Sequence, residues 1–483
     1  MLEMVRQRTI RAGPAPADHE EAPVGRTSTD ASTGAPLSLQ DLRHDITSGR
    51  IDTVLVAMTD MQGRLQGKRL TGRFFLDEVL EHGTEGCNYL LGVDVEMNTV
   101  DGYEITSWSR GYGDLLLRPD LSTLRRIPWH PATAMVLCDV LQLDDEPVRP
   151  SPRQVLRAQL QRLEGHGLRP LVATELEFNL LRVTYEEAHA NGYRDLRPAS
   201  THNIDYSLLG TGRVEPVLRR IRNEMDGAGL YTESAKGECN LGQQEIGFRY
   251  ADALTTCDQH SVFKLGAKEI AAQEGMSVTF MAKLDQREGN SCHIHLSLTD
   301  LDGSPVFAAG AGSEMAPVMR SFLAGQLAAL RELTLLLAPN VNSYKRFADG
   351  SFAPTAVAWG YDNRTCALRV VGRGPSLRME NRVPGGDANP YLAVSALIAA
   401  GLHGIEEGLE LEEVTTGNAY TGGAPRVPTT LLAAAELFAG SALARRAFGD
   451  DVVDHYARAA HVELEAFQTA VTDWERARGF ERL

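Results

Sequence analysis

Polar and apolar positions alternate through LVATELEFNLL, residues 171–181, and the alternation predicts a strand with Glu175 and Glu177 on one face and Leu176 and Phe178 on the other. The same period of two runs through EGNSCHIHLSL, residues 288–298. There His293 and His295 share a surface while Ile294, Leu296 and Leu298 take the buried side. In SLRMENRV it places Arg378, Glu380 and Arg382 together on one strand face. MSVTFMAKL and ALRVVG read as further strands. Helical spacing appears in RQVLRAQLQRLEGHG, where Leu156, Leu160 and Leu163 recur behind Ser151 and Pro152, and again in the Ala- and Leu-rich segments from Pro390 onward. Near the start, SLQD from Ser38 signals a short helix, IDTVLVAMTD a strand, and MQGRLQGKRL a turn with a returning strand.

A length of 483 residues exceeds one ordinary core. Residues 1–36, rich in Ala, Pro, Gly, Ser and Thr, are predicted to be a disordered tail, because they carry too little apolar surface to offset ordering entropy. The Pro-flanked stretch VRPSP suggests a junction. The expected organisation is therefore a small mixed N-terminal domain over 37–147 and a large α+β domain over 148–483.

The net charge of −16 argues against a nucleic-acid or anionic-membrane partner, which clustered Lys and Arg would bind. Six cysteines without a CxxC pair fit reduced thiols, no apolar run reaches the ~20 residues a membrane span needs, and the N-terminus lacks a secretion-signal core. The expected location is the cytoplasm.

Two carboxylates on one strand face repel each other unless a cation neutralises them, and a divalent ion is the natural neutraliser. A solvent-facing strand side would account for Glu175 and Glu177 equally well, as would a wet strand face for a lone His-x-His. Glu175, Glu177, Glu238, Glu245 and Glu380 together with His293 nevertheless supply enough hard ligands for two or three Mg²⁺ or Mn²⁺ ions. Arg346, Arg364 and Arg369 add guanidinium groups suited to a phosphoryl group and a small carboxylate. Neither a P-loop nor a Rossmann fingerprint is present.

The order and spacing of DMQGRLQGKRL, GYGDLLLRPDLST, ELEF, ESAKGE with GQQE, EGNSCHIHLSL, NSYKRF, NRTCALR and MENRVPGGDANPY resemble the glutamine synthetase family over residues 38–483. The resemblance implies a β-grasp-like N-terminal domain and a catalytic domain with a curved antiparallel sheet and packed helices, assembled as a homododecamer of two stacked rings. It implies that Glu177, Glu238 and Glu245 hold one metal ion, and Glu175, His293 and Glu380 another. By the same resemblance Glu233, Ser297, Arg369 and Arg378 contact ATP, and Arg346, Arg364, Arg382 and His295 meet glutamate or the transferring phosphate. Asp114 would help to deprotonate the incoming nitrogen across a subunit boundary.

One position departs from the family pattern. Where ammonia-using members carry a flap glutamate, this chain carries Phe352, and an aromatic ring suits an alkyl chain better than a small hydrated cation. The reading is a ligase joining glutamate to an organic primary amine, polyamine or ethanolamine, with ATP as co-substrate. This looks like the γ-glutamylpolyamine and γ-glutamylethanolamide synthetases within the family. Acidic residues Glu85, Asp94, Glu96, Asp101 and Glu104 could favour a polyamine if their loop lines the amine entrance. The alternatives are an ammonia-dependent glutamine synthetase and a non-catalytic ring protein. Tyr420 lies near where some bacterial members carry a nucleotidylated tyrosine, but its flanks differ.

Overall fold

The computed structural model describes residues 37–312 and 314–483, so the expectation for 1–36 lies outside the described residues. The first helix, Leu39–Thr47, starts where SLQD predicts, with the Ser38 hydroxyl accepting from the Asp41 N–H. Six strands follow: β1 (Thr53–Thr59), β2 (Leu65–Thr71), β3 (Thr84–Cys87), β4 (Asp114–Pro119), β5 (Arg125–Arg126) and β6 (Thr133–Leu141). They form one sheet in the order β2-β1-β6-β4-β3, with β5 alongside β6. β1 pairs antiparallel with β2, as the turn-and-return reading requires, and parallel with β6.

After the helix Pro152–Gly165, a second sheet of nine strands carries the site. Its members are β7 (Leu168–Leu181), β8 (Thr232–Gly237), β9 (Gln243–Phe248), β10 (Ala251–Asp252), β11 (Ser277–Thr279), β12 (Cys292–Asp300), β13 (Trp359–Tyr361), β14 (Leu368–Val371) and β15 (Arg378–Asn381). The main order is β13-β14-β15-β12-β7-β9-β8, with β10 and β11 also on β7. One face is apolar: Leu176, Phe178, Ile294 and Leu296 are fully buried. Phe178 packs against Phe263 of the helix Ala253–Gln273 with ring centroids 6.3 Å apart, and against Phe280 at 5.6 Å. The opposite face carries the charged residues.

MSVTFMAKL departs from its predicted strand, which stops at Thr279. Beyond it the backbone is satisfied by other partners: Asn290 donates from its side chain to the Met281 carbonyl at 2.8 Å and from its N–H to the Ala282 carbonyl at 2.9 Å. Gly289 makes this closeness possible, since a Cβ there would sit 2.2 Å from the Ala282 oxygen. Among the described residues no helix is long and apolar enough to cross a membrane.

Candidate active site

Strand register assembles the charged face. Across β12 and β7, His293 stands opposite Glu175, and across β7 and β9, Glu177 stands opposite Glu245. Across β12 and β15, His295 stands opposite Glu380, and Glu380 in turn opposite Arg369 on β14. A cavity of about 270 Å³ opens over these rows and is lined by Glu175, Glu177, Glu238, Glu245, His293, Glu380, Arg364, Arg369 and Arg382, with Phe352 at its edge.

Among the described residues three groups of side chains bring ligand-type atoms within 4.8 Å of one another; one, Asp205, Glu238 and Cys239, shares Glu238 with its neighbour, and the other two hold the carboxylates assigned from the sequence. The first of these two is Glu177, Glu238 and Glu245, as the sequence reading paired them. Ser291 N–H and Gln243 Nε2 donate to Glu177 Oε2 at 2.7 and 3.0 Å. Burial, with the Glu238 charge behind it, nonetheless pushes the Glu177 carboxyl up to about 7. Burial likewise pushes Glu245 up to about 8, with Glu175, Glu177 and Glu238 adding repulsion that the Lys236 charge only partly offsets.

The second group contains Glu175, His295 and Glu380. His295 Nε2 lies 2.9 Å from Glu175 Oε1. His293, the histidine assigned to this group from the sequence, is at its edge: its Nδ1 lies 3.3 Å from Glu175 Oε2 and 3.4 Å from Glu380 Oε1. Burial and the Arg382 charge push His293 down to about 4, so the ring is neutral at pH 7, the form that ligates metals. Burial works against ionisation of Glu380, but His293, Arg382, His295 and Arg369 outweigh it and hold the carboxyl at about 2.

The residues fit divalent ions on physical grounds. Three carboxylates whose burial, with repulsion between them, favours protonation form a hard-oxygen site, and the second group offers two carboxylates and an imidazole.

The arginines divide. Arg369 donates to Glu380 Oε2 at 2.8 Å and to Asp362 Oδ1 at 3.0 Å, and Arg364 projects half-exposed into the cavity. Arg382 pairs with Glu380 Oε1 and donates to the Phe352 carbonyl at 3.2 Å. Arg346 is buried behind the site, donating to Ser291 Oγ at 2.9 Å and to the Val383 and Arg382 carbonyls at 2.8 and 3.0 Å. Arg378 Nε donates to His295 Nδ1 at 3.3 Å, which ties the Arg-Glu-Arg face of β15 to the histidine strand.

Six assigned residues do not line this cavity within the chain: Asp114, Glu233, Ser297 and Arg378, together with His295 and Arg346, which sit directly behind its wall. Asp114 is exposed at the start of β4, on the other sheet, and Glu233 is exposed at a bulge between β8 and β9. None of Glu85, Asp94, Glu96, Asp101 and Glu104 lines it either. Asp94 instead accepts from the Glu96 and Asn98 N–H groups at 2.9 and 2.8 Å, closing its own turn.

The sequence reading passed over Lys236, Asp205, Tyr206 and Glu288, all of which line the cavity. For Lys236 a signal existed. It stands two residues before Glu238, the same spacing that paired Glu175 with Glu177.

Residues 149–478 match the family described as glutamine synthetase, catalytic domain. The chain is 64% identical over 468 residues to the γ-glutamylethanolamide synthetase GlnA4 of Streptomyces coelicolor, covering 97% of this chain and 100% of that protein. It is 40% identical to the glutamate–isopropylamine ligase of a Pseudomonas species, covering 90% of this chain and 96% of that one. Among solved structures, GmaS in an ADP complex superposes with a TM-score of 0.80 at 27% identity, covering 92% of this chain and 100% of GmaS. The chain belongs to the glutamine synthetase family.

Proposed function

We propose that this protein joins the γ-carboxylate of glutamate to a small organic primary amine, with ethanolamine the leading acceptor, and cleaves ATP to ADP and phosphate. The observation that carries the reading is Phe352 beside a cavity lined by Glu175, Glu177, Glu238, Glu245 and Glu380 and by three arginines. The 64% identity to a γ-glutamylethanolamide synthetase supports the choice of acceptor.

A carboxylate is a poor electrophile and needs activation. A γ-carboxylate oxygen of glutamate attacks the terminal phosphorus of ATP and ADP leaves, giving γ-glutamyl phosphate. The amine nitrogen then attacks the acyl carbon, phosphate departs, and one proton is lost from nitrogen. Glu177, Glu238 and Glu245 would hold one Mg²⁺ or Mn²⁺ ion, and Glu175, His293 and Glu380, with His295 alongside, another. Such ions supply charge neutralisation for phosphoryl transfer. Arg364 and Arg369 face the cavity where developing phosphate charge needs guanidinium partners, and Arg382 orients Glu380. Arg346, from behind, positions Ser291 and the Arg382 backbone. Glu233, Ser297 and Arg378 are assigned to the nucleotide, and Asp114 to proton removal at the site of a neighbouring copy. That last role requires a ring assembly, which we assign as two stacked hexamers in the cytoplasm, with residues 37–147 and 148–483 as the domains.

The deciding experiment follows phosphate release with glutamate and ATP while the acceptor is varied among ethanolamine, putrescine, spermidine and ammonium. Turnover with an organic amine and little with ammonium is expected. Turnover with ammonium alone would reassign the protein as a nitrogen-assimilating glutamine synthetase.

A further inference from the structure

Lys236 stands among the acidic groups of the first ion site. Strand register places it opposite Glu245, which is itself opposite Glu177, so the three residues form one row across β8, β9 and β7. The Lys236 ammonium contacts Glu238 Oε1 and lies 4.0 Å from Glu245 Oε2. On another side it sits 4.7 Å from the centroid of the Tyr206 ring. The side chains of Lys236 and Glu238 are only 24% and 14% exposed, so water screens their charges weakly.

We propose that Lys236 is a resident counter-charge of this site, limiting the triad to one divalent ion and weakening that ion's hold. Three carboxylates with one ammonium and one divalent ion are neutral together. Without the ammonium, one ion would leave a net negative charge and a stronger pull on it. The ammonium and an incoming ion compete for the same oxygens of Glu238 and Glu245, and like charges this close repel each other strongly where water screens them weakly. The Tyr206 ring offers the displaced ammonium a cation–π seat within reach. Lys236 is thus a positioning residue acting through the ion site. The inference rests on the reading of Glu177, Glu238 and Glu245 as ion ligands.

The test is calorimetric titration of the chelator-treated full-length protein with Mn²⁺, comparing wild type, Lys236→Met, Lys236→Gln, Lys236→Arg and Glu245→Gln. Both neutral substitutions are expected to tighten Mn²⁺ binding about ten- to a hundredfold, the range over which groups around a metal's ligands tune its affinity. Lys236→Arg should bind like wild type and Glu245→Gln more weakly. Thermal unfolding adds a reading independent of turnover: the neutral variants should melt lower without ion and gain more on Mn²⁺ addition than wild type. Unchanged or weaker Mn²⁺ binding in a folded neutral variant would overturn the proposal. Wild-type protein that binds Mn²⁺ no better than Glu245→Gln would overturn the ion-site reading itself.

Discussion

The hydroxyl of Tyr420 donates to the carbonyl oxygen of Ala353 at 3.1 Å. The preceding carbonyl, that of Phe352, accepts from Arg382 Nη2 at 3.2 Å, so consecutive carbonyls of this loop are tied from two sides. Phe352 itself has a φ of 58°, a left-handed conformation uncommon for a bulky side chain. The ties hold that conformation and present the ring, 58% exposed, at the cavity edge.

Tyr420→Phe should therefore loosen the acceptor end of the site. One lost hydrogen bond of ordinary strength corresponds to about a 2- to 10-fold change. The Michaelis constant for ethanolamine should rise by that factor while the constant for glutamate stays put, and steady-state kinetics with each substrate varied in turn will show it.

Phe352→Glu restores a carboxylate where the ring now stands. The ratio of kcat/KM for ethanolamine over ammonium should fall by at least about tenfold, an amount equal to roughly 1.4 kcal/mol of differential transition-state binding. Competition between the two acceptors in one reaction, with products separated by mass, measures the ratio directly.

The acid triad sets a pH dependence of stability in the chelated protein. Glu177 and Glu245 have folded-state values raised above the ordinary 4.5, to about 7 and about 8. Raised carboxyls bind more protons folded than unfolded, so their contribution is intact below about 4.5 and is lost as pH climbs to about 8. Melting temperature in EDTA should fall across that window, Mg²⁺ should recover more of it at pH 8 than at pH 5, and Glu245→Gln should flatten the slope.

Away from the site, Arg153 ties the six-stranded sheet to the helix Ala253–Gln273. Its guanidinium, 2% exposed, bonds Asp258 in the helix behind β7 at 3.0 Å, Asp120 after β4 at 2.7 Å, and Asp139 in β6. Tyr391 also donates to Asp258 at 2.7 Å. Arg153→Met strands a buried carboxylate and should cost about 3–5 kcal/mol. Urea denaturation will report it as a lower midpoint.

Much of the site was legible in the chain because strands alternate with a period of two. Glu175 with Glu177, His293 with His295, and Glu380 between two arginines could be placed on common faces from spacing alone, and β7, β12 and β15 carry them so. Arg346 was legible as a cation and, by resemblance, as a glutamate or phosphate contact, but not as a buried residue. Its burial behind Ser291 depends on the loop 280–291 folding over it, which no local pattern encodes. The early end of β11 has the same origin, since Asn290 takes the carbonyls that a longer strand would have offered to a neighbour.

Local periodicity thus determined which side chains share a face, the SLQD capping signal where the first helix starts, and the family resemblance that an aromatic ring takes the flap position at Phe352. The tertiary structure decided what faces what. Register between strands far apart in sequence set Glu177 against Glu245 and placed Lys236 in the same row, and burial then raised the carboxyls and neutralised His293. Charge interactions in a partly desolvated cleft depend on distances of a few ångströms between distant segments, and those distances exist only once the sheet has closed.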